Sequence, residues 1–265
     1  MIITLTTDFG LKDHYVGALK GMIYSKNPNV NIVDISHQVS PFVIQEASYV
    51  VSASYRHFPE GTLHLILVDS EINQENKPVL VEWNKHYFLS SDNGILSLLT
   101  HGAVPENIIS IPFGEIADST SFFVEKATEL INGKTLFDLG QKIESLKKIP
   151  PLKAAISEEN NRITGNIIHI DHYGNAISNI TKELFETVRN GRNFQILFRS
   201  YRITKIHQSY IDYSTEKSME KGGKIALFNP SDLLEIALYK GNPKSGTAST
   251  LFGLEYESTI SVQFS

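Results

Sequence analysis

The feature that most limits this chain is a run without polar alternation, Thr62-Leu63-His64-Leu65-Ile66-Leu67-Val68, closed by Asp69. A strand exposed on one side alternates apolar and polar residues; a strand covered on both sides does not. The run therefore predicts a strand inside a parallel sheet with a layer packed on each face. Its surroundings agree. Residues 2–7 are rich in β-branched side chains and end in Asp8-Phe9-Gly10, a strand and its turn. Residues 13–25 have helical spacing, with Tyr15, Leu19, Met22 and Ile23 on one side and Pro28 as a stop. Residues 30–35 read as a second strand and 45–55 as a second helix. A hairpin is expected from 79–82 and 86–89 around Asn84-Lys85, a short helix at 95–99, and a helix at 122–131 ended by Asn132-Gly133. The β-α-β-α-β order implies an α/β domain with a mostly parallel sheet.

The pattern changes near residue 145. Lys147-Lys148-Ile149-Pro150-Pro151 reads as a stiff linker, because proline lacks a donor and fixes φ. Beyond it, residues 162–171, 193–198, 224–229 and 259–263 read as strands joined by short Gly-rich or Asn-rich turns. A chain of 265 residues has room for two modest domains. The expectation is an N-terminal α/β domain over 1–148 and a smaller, mostly β domain over 152–265, a barrel or sandwich.

Composition removes several functions. Lys+Arg number 24 against 29 Asp+Glu, a net charge of −5, which argues against a nucleic-acid partner or a polybasic membrane-surface protein. The absence of cysteine excludes disulfides, a thiolate nucleophile and Cys-ligated metals. No apolar run approaches the ~18 residues of a membrane span. The opening residues show no leader pattern, so a cytoplasmic location is expected. The nine histidines include no HxxxH or HxH pair, so no metal site is signalled. GxGxxG after the first strand, the phosphate-loop pattern and the GxSxG elbow are all missing, and no cofactor is expected.

Four polar constellations remain. Asp8, at the tip of the first strand, either accepts hydrogen bonds from a ribose diol in the crevice of an α/β sheet or simply caps a turn. Asp69 repeats the arrangement at another strand end, before the polar loop 70–77. Ser91-Asp92-Asn93-Gly94 suits a tight turn, structural or functional. Asp171-His172-Tyr173-Gly174-Asn175 packs an acid, an aromatic ring and an amide into one turn. Ring and amide together can stack and read a nucleobase, or form an ordinary polar turn.

In order along the chain, these segments resemble the S-adenosyl-L-methionine hydroxide adenosyltransferase family, whose relatives include fluorinase and chlorinase. The resemblance is carried by Thr7-Asp8-Phe9-Gly10 with Asp13, Tyr15-Val16-Gly17 and Lys20-Gly21. It continues through Asp34-Ile35-Ser36-His37, Phe58-Pro59-Glu60-Gly61-Thr62, Leu67-Val68-Asp69-Ser70 and Ser91-Asp92-Asn93-Gly94. It closes with 171–180 and Leu234-Glu235-Ile236-Ala237 with Gly241-Asn242.

The resemblance implies an α/β domain followed by a C-terminal β-barrel, and a homotrimer with ligand bound between subunits. It implies Asp8 on the ribose hydroxyls, Phe42 as an aromatic wall near the sugar, and Tyr173 stacked on adenine. Asn175 would read the base edge, and Asp171 would contact the amino group of the methionine moiety. Asn93 and Glu235 join the substrate-binding set, and Asp69 is the catalytic residue. The implied chemistry is attack at ribose C5′ of S-adenosyl-L-methionine by water, releasing adenosine and L-methionine. Hydrolase members surround that water with an Asp, an Arg and a His. Here the Arg position holds Asn76 or Lys77, and the His segment reads Asp118-Ser119-Thr120-Ser121. These replacements keep a second reading open, a catalytically degenerate protein that binds adenosine or S-adenosyl-L-methionine. Halide use goes with Tyr rather than Asp at position 69 and with an inserted loop, and this chain has neither.

Overall fold

A computed structural model describes residues 1–115, 117–215 and 222–265. The chain divides into two compact units, Met1–Pro151 and Leu152–Ser265.

The first unit opens with β1 (Ile2–Thr7), α1 (Tyr15–Lys26), β2 (Asn31–Ser36), α2 (Ile44–Ser54) and β3 (Leu63–Leu67). The hairpin β4 (Pro78–Trp83) and β5 (His86–Ser91) follows, then α3 (Ile95–Leu99) and β6 (Asn107–Ser110). It ends with α4 (Ser119–Ile131), α5 (Leu136–Leu139) and β7 (Gln141–Lys142). The strands form one seven-stranded sheet ordered β2-β1-β3-β5-β4-β6-β7. It is parallel from β2 to β5 and antiparallel from β5 to β7, so the sheet is mixed. The change of direction is made at Asn84 and Lys85, both at positive φ (50° and 63°), as a two-residue hairpin turn demands.

β3 explains the apolar run. Leu63, Leu65 and Leu67 enter the core shared with α1, α4 and α5, whereas Ile66 and Val68 enter the core shared with α2 and α3. Both faces are covered, and each such side chain stabilises the fold by about 1.5–3 kcal/mol. The helix expected from residue 122 starts at Ser119, because the Asp118 carboxylate accepts from the Thr120 and Ser121 N–H groups and caps it.

His64 is the polar member of β3 and is fully buried. Its Nδ1 lies 2.8 Å from Thr4 Oγ1 on β1, and its Nε2 lies 3.2 Å from His86 Nδ1 on β5. Tyr55 and Phe88 pack around the ring. Burial first, and the neighbouring His86 second, lower its pKa from 6.5 to about 3.

The second unit comprises β8 (Ala155–Ile156), β9 (Arg162–Ile170), β10 (Ala176–Thr181), α6 (Lys182–Arg189), β11 (Phe194–Phe198) and β12 (Tyr201–Ile203). Then come α7 (Tyr210–Thr215), β13 (Lys224–Phe228), β14 (Leu233–Leu238), α8 (Ala248–Phe252) and β15 (Thr259–Phe264). The eight-stranded sheet runs β12-β11-β15-β9-β10-β14-β13 with β8 added on β9, and its pairings are antiparallel. A bridge between His207 and Leu227 draws the chain after β12 onto β13, so the sheet nearly closes into a barrel. Its interior is filled by Ile163, Ile180, Phe185, Ile196, Ile236 and Ile260, among others.

The buried neutral His64 makes stability depend on pH with a definite sign. Between about pH 6.5 and 3 the unfolded chain binds a proton at this residue and the folded chain does not. Stability therefore falls as pH drops through that window, by up to about 1.4 kcal/mol per pH unit from this group. Urea unfolding of wild type and His64→Gln between pH 7 and 4 should show a steeper loss in wild type. Parallel curves would mean that His64 is not held neutral by the fold.

Candidate functional site

β1 connects to β2 through α1 on one face of the sheet, and β2 connects to β3 through α2 on the other. The order of strands therefore reverses between β1 and β3, and open α/β sheets bind ligands in the crevice outside the carboxyl ends at that point. The residues that leave those two strand ends are Asp8 and, after Val68, Asp69. Thr7 and Leu67 are register partners, so the two acids emerge side by side.

Backbone geometry fixes each. Asp8 Oδ2 accepts the N–H of Phe42 at 2.9 Å, which ties the loop after β2 to the end of β1. Phe42 itself has φ 66° and is 73 % exposed, an aromatic ring held in solvent beside the carboxylate. Underneath, Thr7 Oγ1 lies 2.9 Å from His37 Nδ1, and His37 Nε2 lies 3.1 Å from Asp34 Oδ1. Burial would raise the Asp34 carboxyl, but hydrogen bonds from Lys20 and His37 outweigh it and hold the pKa low.

Asp69 sits at φ 47°, in the left-handed region that Asp tolerates better than most residues. Its backbone carbonyl accepts the Asn93 side-chain amide at 2.8 Å, and the Val68 carbonyl accepts the same amide at 3.1 Å. Asn93 Oδ1 accepts the Ile95 N–H at 3.1 Å. Asn93 is buried and its amide is committed to backbone, so its place in the site is to fix the turn that carries Asp69. Burial, then the Asp8 and Glu71 carboxylates, raise the Asp69 pKa, while Lys147 acts in the opposite sense.

The turn after β5 also holds the chain before Pro150. Both Asp92 carboxylate oxygens accept the Lys147 N–H at 3.0 Å, and burial pushes the Asp92 pKa up against that bond. A Cβ at Gly94, whose φ is 104°, would meet Ile149 at 2.8 Å, so that turn requires glycine. Residues 147–149, read from sequence as linker, are thus fastened to the first unit. The Lys147 ammonium donates to Asn76 Oδ1 at 2.9 Å.

The two positions where the resemblance expected cationic or protonatable partners have other tasks. Asn76 receives Lys147, and Lys77 gives its backbone carbonyl to the Asp92 N–H at 2.7 Å. Asp118 caps α4, with its pKa lowered chiefly by the Ser121 hydroxyl. Ser119 Oγ accepts the Ile72 N–H at 3.0 Å and so pins the loop 70–77 to the start of α4.

In the second unit the other sequence-selected residues gather around the β9–β10 turn. Asp171 Oδ1 and Oδ2 accept the backbone N–H (2.8 Å) and side-chain amide (2.9 Å) of Asn175, and the backbone closes around them. A Cβ on Gly174 would stand 2.4 Å from the Thr247 side chain, so only glycine fits where the turn meets the cap of α8. This leaves Tyr173, 65 % exposed, at the tip. Glu235 lies on the adjacent strand β14, opposite Ile177. It is buried; burial and then the Asp171 charge raise its pKa, opposed by the hydrogen bond from Tyr210. Tyr210 Oη donates to Glu235 Oε1 at 2.5 Å, and burial followed by that carboxylate pushes the phenol pKa well above its ordinary value.

The structure thus groups Asp8, Phe42, Asp69 and Asn93 in the first unit, and Asp171, Tyr173, Asn175 and Glu235 in the second. Sequence reading missed Tyr210, which lies in no recognisable motif, and Lys147, which lies in a stretch that reads as linker. Among the described residues no group of three or more His, Cys, Asp or Glu side chains is arranged to hold a metal ion. No described helix is long and apolar enough to cross a membrane.

Two family models match the chain: the SAM hydroxide adenosyltransferase N-terminal domain over residues 3–140 and the corresponding C-terminal domain over 165–261. An (R)-S-adenosyl-L-methionine hydrolase of Methanocaldococcus jannaschii is 29 % identical over 275 residues, covering 98 % of this chain and 95 % of the relative. A fluorinase of Actinopolyspora mzabensis is 23 % identical over 232 residues, covering 74 % of this chain and 77 % of the relative. The crystal structure of an uncharacterized conserved protein from Thermotoga maritima superposes with a TM-score of 0.82. It shares 25 % identity and covers 99 % of this chain and 100 % of its own.

Proposed function

This chain belongs to the SAM hydroxide adenosyltransferase family, and we propose that it hydrolyses S-adenosyl-L-methionine at ribose C5′ to adenosine and L-methionine. The observation that carries the reading is the pair Asp8 and Asp69 at the carboxyl ends of adjacent parallel strands, where the strand order reverses. The similarity to an (R)-S-adenosyl-L-methionine hydrolase along nearly the whole chain supports it.

The sulfonium is already a good leaving group, so the protein need not protonate it. Its task is to hold water in line with the C5′–S bond. The water oxygen forms a bond to C5′ as the bond to sulfur breaks, and that electron pair stays on sulfur as the thioether of methionine. The proton leaving the water passes to the Asp69 carboxylate and then to solvent. The burial and neighbouring carboxylates that raise the Asp69 pKa make it a stronger base than an ordinary aspartate. Asp8, with Oδ2 on Phe42 N–H, retains acceptor capacity for the ribose hydroxyls, and the Phe42 ring walls the sugar. Tyr173 stacks on adenine, Asn175 reads its edge, and Asp171 takes the amino group of the methionine moiety, supported by Glu235. Asn93 acts through the backbone of Asp69. No cofactor enters the scheme. A homotrimer, located in the cytoplasm, completes the proposal, with each ligand between subunits.

Chromatography of adenosine and methionine tests the centre of it. Asp69→Asn should bind S-adenosyl-L-methionine as wild type does and turn over about 10²-fold more slowly or worse. Because the base works ionised and its pKa is raised, wild-type kcat/KM should fall on the acid side at a pH above the ~3.9 of a free aspartate. Equal rates in the two proteins would reduce Asp69 to a turn residue. A wild type that binds but never turns over would give precedence to the degenerate binding protein, a reading favoured by the non-catalytic work of Asp118.

Tyr173→Ala should weaken adenosine binding by about 1–3 kcal/mol, the contribution of a base stacked on an aromatic ring. Unchanged affinity by calorimetry would put the purine elsewhere. Light scattering should report a trimer; a monomer that still binds adenosine would sink the shared-site arrangement.

A further inference from the structure

The replaced arginine leaves a physical question. Asp8 and Glu71 add negative charge beside Asp69, and a water losing a proton to that carboxylate needs a positive neighbour. Loop 70–77 offers none through Asn76, which is neutral, and the cation that acts on the Asp69 carboxyl is Lys147 and not Lys77.

The cation comes from another part of the chain. We infer that Lys147 is the positive group of the reaction site, its ammonium held at Asn76 so that a lysine from the end of the first unit replaces the charge missing from the loop. Several contacts make this a built position. The backbone N–H of Lys147 lies 3.0 Å from both oxygens of Asp92. On one side Leu146 is buried, and on the other Ile149 packs against Gly94. The side chain ends on Asn76 Oδ1 at 2.9 Å. Asp92 and Gly94 bracket Asn93, whose amide fixes the backbone of Asp69, so a single turn sets both acid and cation. Independently, Lys147 is the group that opposes Asp8 and Glu71 in their effect on the Asp69 carboxyl.

The inference rests on the hydrolase reading, and it extends that reading in a specific way. Asn76 is no vacancy in the machinery; it is the acceptor that aims a lysine. An arginine at 76 would carry its own charge, whereas an asparagine there receives one. Lys147 acts through Asp69 and the water it holds, and so is a positioning residue.

The test uses the full chain with Lys147→Met, Lys147→Arg and, as a control, Lys148→Met. The methionine keeps the backbone N–H that binds Asp92 and removes the ammonium with its bond to Asn76. We expect kcat to fall at least tenfold with KM changed less than threefold, and the acid limb of the kcat profile to move to higher pH. Lys147→Arg should recover most of the rate, and Lys148→Met should leave rate and profile as in wild type. A Lys147→Met protein with wild-type kcat and an unmoved acid limb would overturn the inference. Carbon-13 NMR titration of the Asp69 carboxyl gives a readout that needs no turnover. Its pKa should be higher in Lys147→Met than in wild type, and an unchanged value would also overturn the inference. Failure of the hydrolase reading itself looks different: wild type would be inactive while the Asp69 pKa still responded to Lys147. Should Lys147→Met fail to fold, the same NMR comparison on Asn76→Ala, which releases the ammonium, is expected to show a raised Asp69 pKa. No change there would again count against the inference.

Discussion

Complete removal of β3 from water is the constraint on which the first unit depends. A strand with leucines on one side and Ile66 and Val68 on the other is stable only between two layers. That demand places α1 and α2 on opposite faces, and helices on opposite faces send successive crossovers in opposite directions along the sheet. The reversal falls between β1 and β3, and an acid follows each strand end, Asp8 after Thr7 and Asp69 after Val68. A carboxylate at the edge of a low-dielectric body with a second one beside it is costly to ionise, and Asp69 stands in that position next to Asp8. The placement of Asp69 beside Asp8 therefore begins in hydrophobic burial several residues upstream.

The second unit solves a different problem, that of presenting an exposed ring without letting it wander. Asp171 spends both carboxylate oxygens on Asn175, and Gly174 lies against the Thr247 cap of α8. Tyr173 emerges from a turn whose backbone is already fixed by these contacts. Beneath it, Tyr210 gives buried Glu235 a donor in place of water.

Sequence alone made much of this legible where the signal was local. The apolar run at 62–68, the Asn84-Lys85 turn and the acids at strand ends each follow from a few adjacent residues. β10 and β14 did not read as strands because Ser178, Asn179 and Glu235 interrupt their apolar pattern. In the structure Ser178 reaches the Leu234 carbonyl at 2.9 Å and Asn179 the Leu152 carbonyl at 2.6 Å, long-range partners that no window of sequence contains. The start of α4 at Ser119 is not legible because residues 118–121 are polar and show no apolar period; the Asp118 cap decides it. Lys147 was hidden by its neighbours: two prolines mark a boundary, and nothing in the local sequence ties the preceding lysine to Asp92 and Asn76, 55 and 71 residues away.

The left-handed backbone at Asp69 has an evolutionary consequence. Short polar residues that bond locally tolerate φ 47°, whereas most larger side chains are disfavoured there by roughly 1–2 kcal/mol. A tyrosine at this position, the change that the resemblance associates with halide use, would carry that cost unless the turn relaxed. That turn is clamped by Asn93 across two carbonyls. An aromatic ring at 69 would thus either accept the left-handed backbone, as Phe42 does at φ 66°, or come with a second change that loosens the Asn93 clamp.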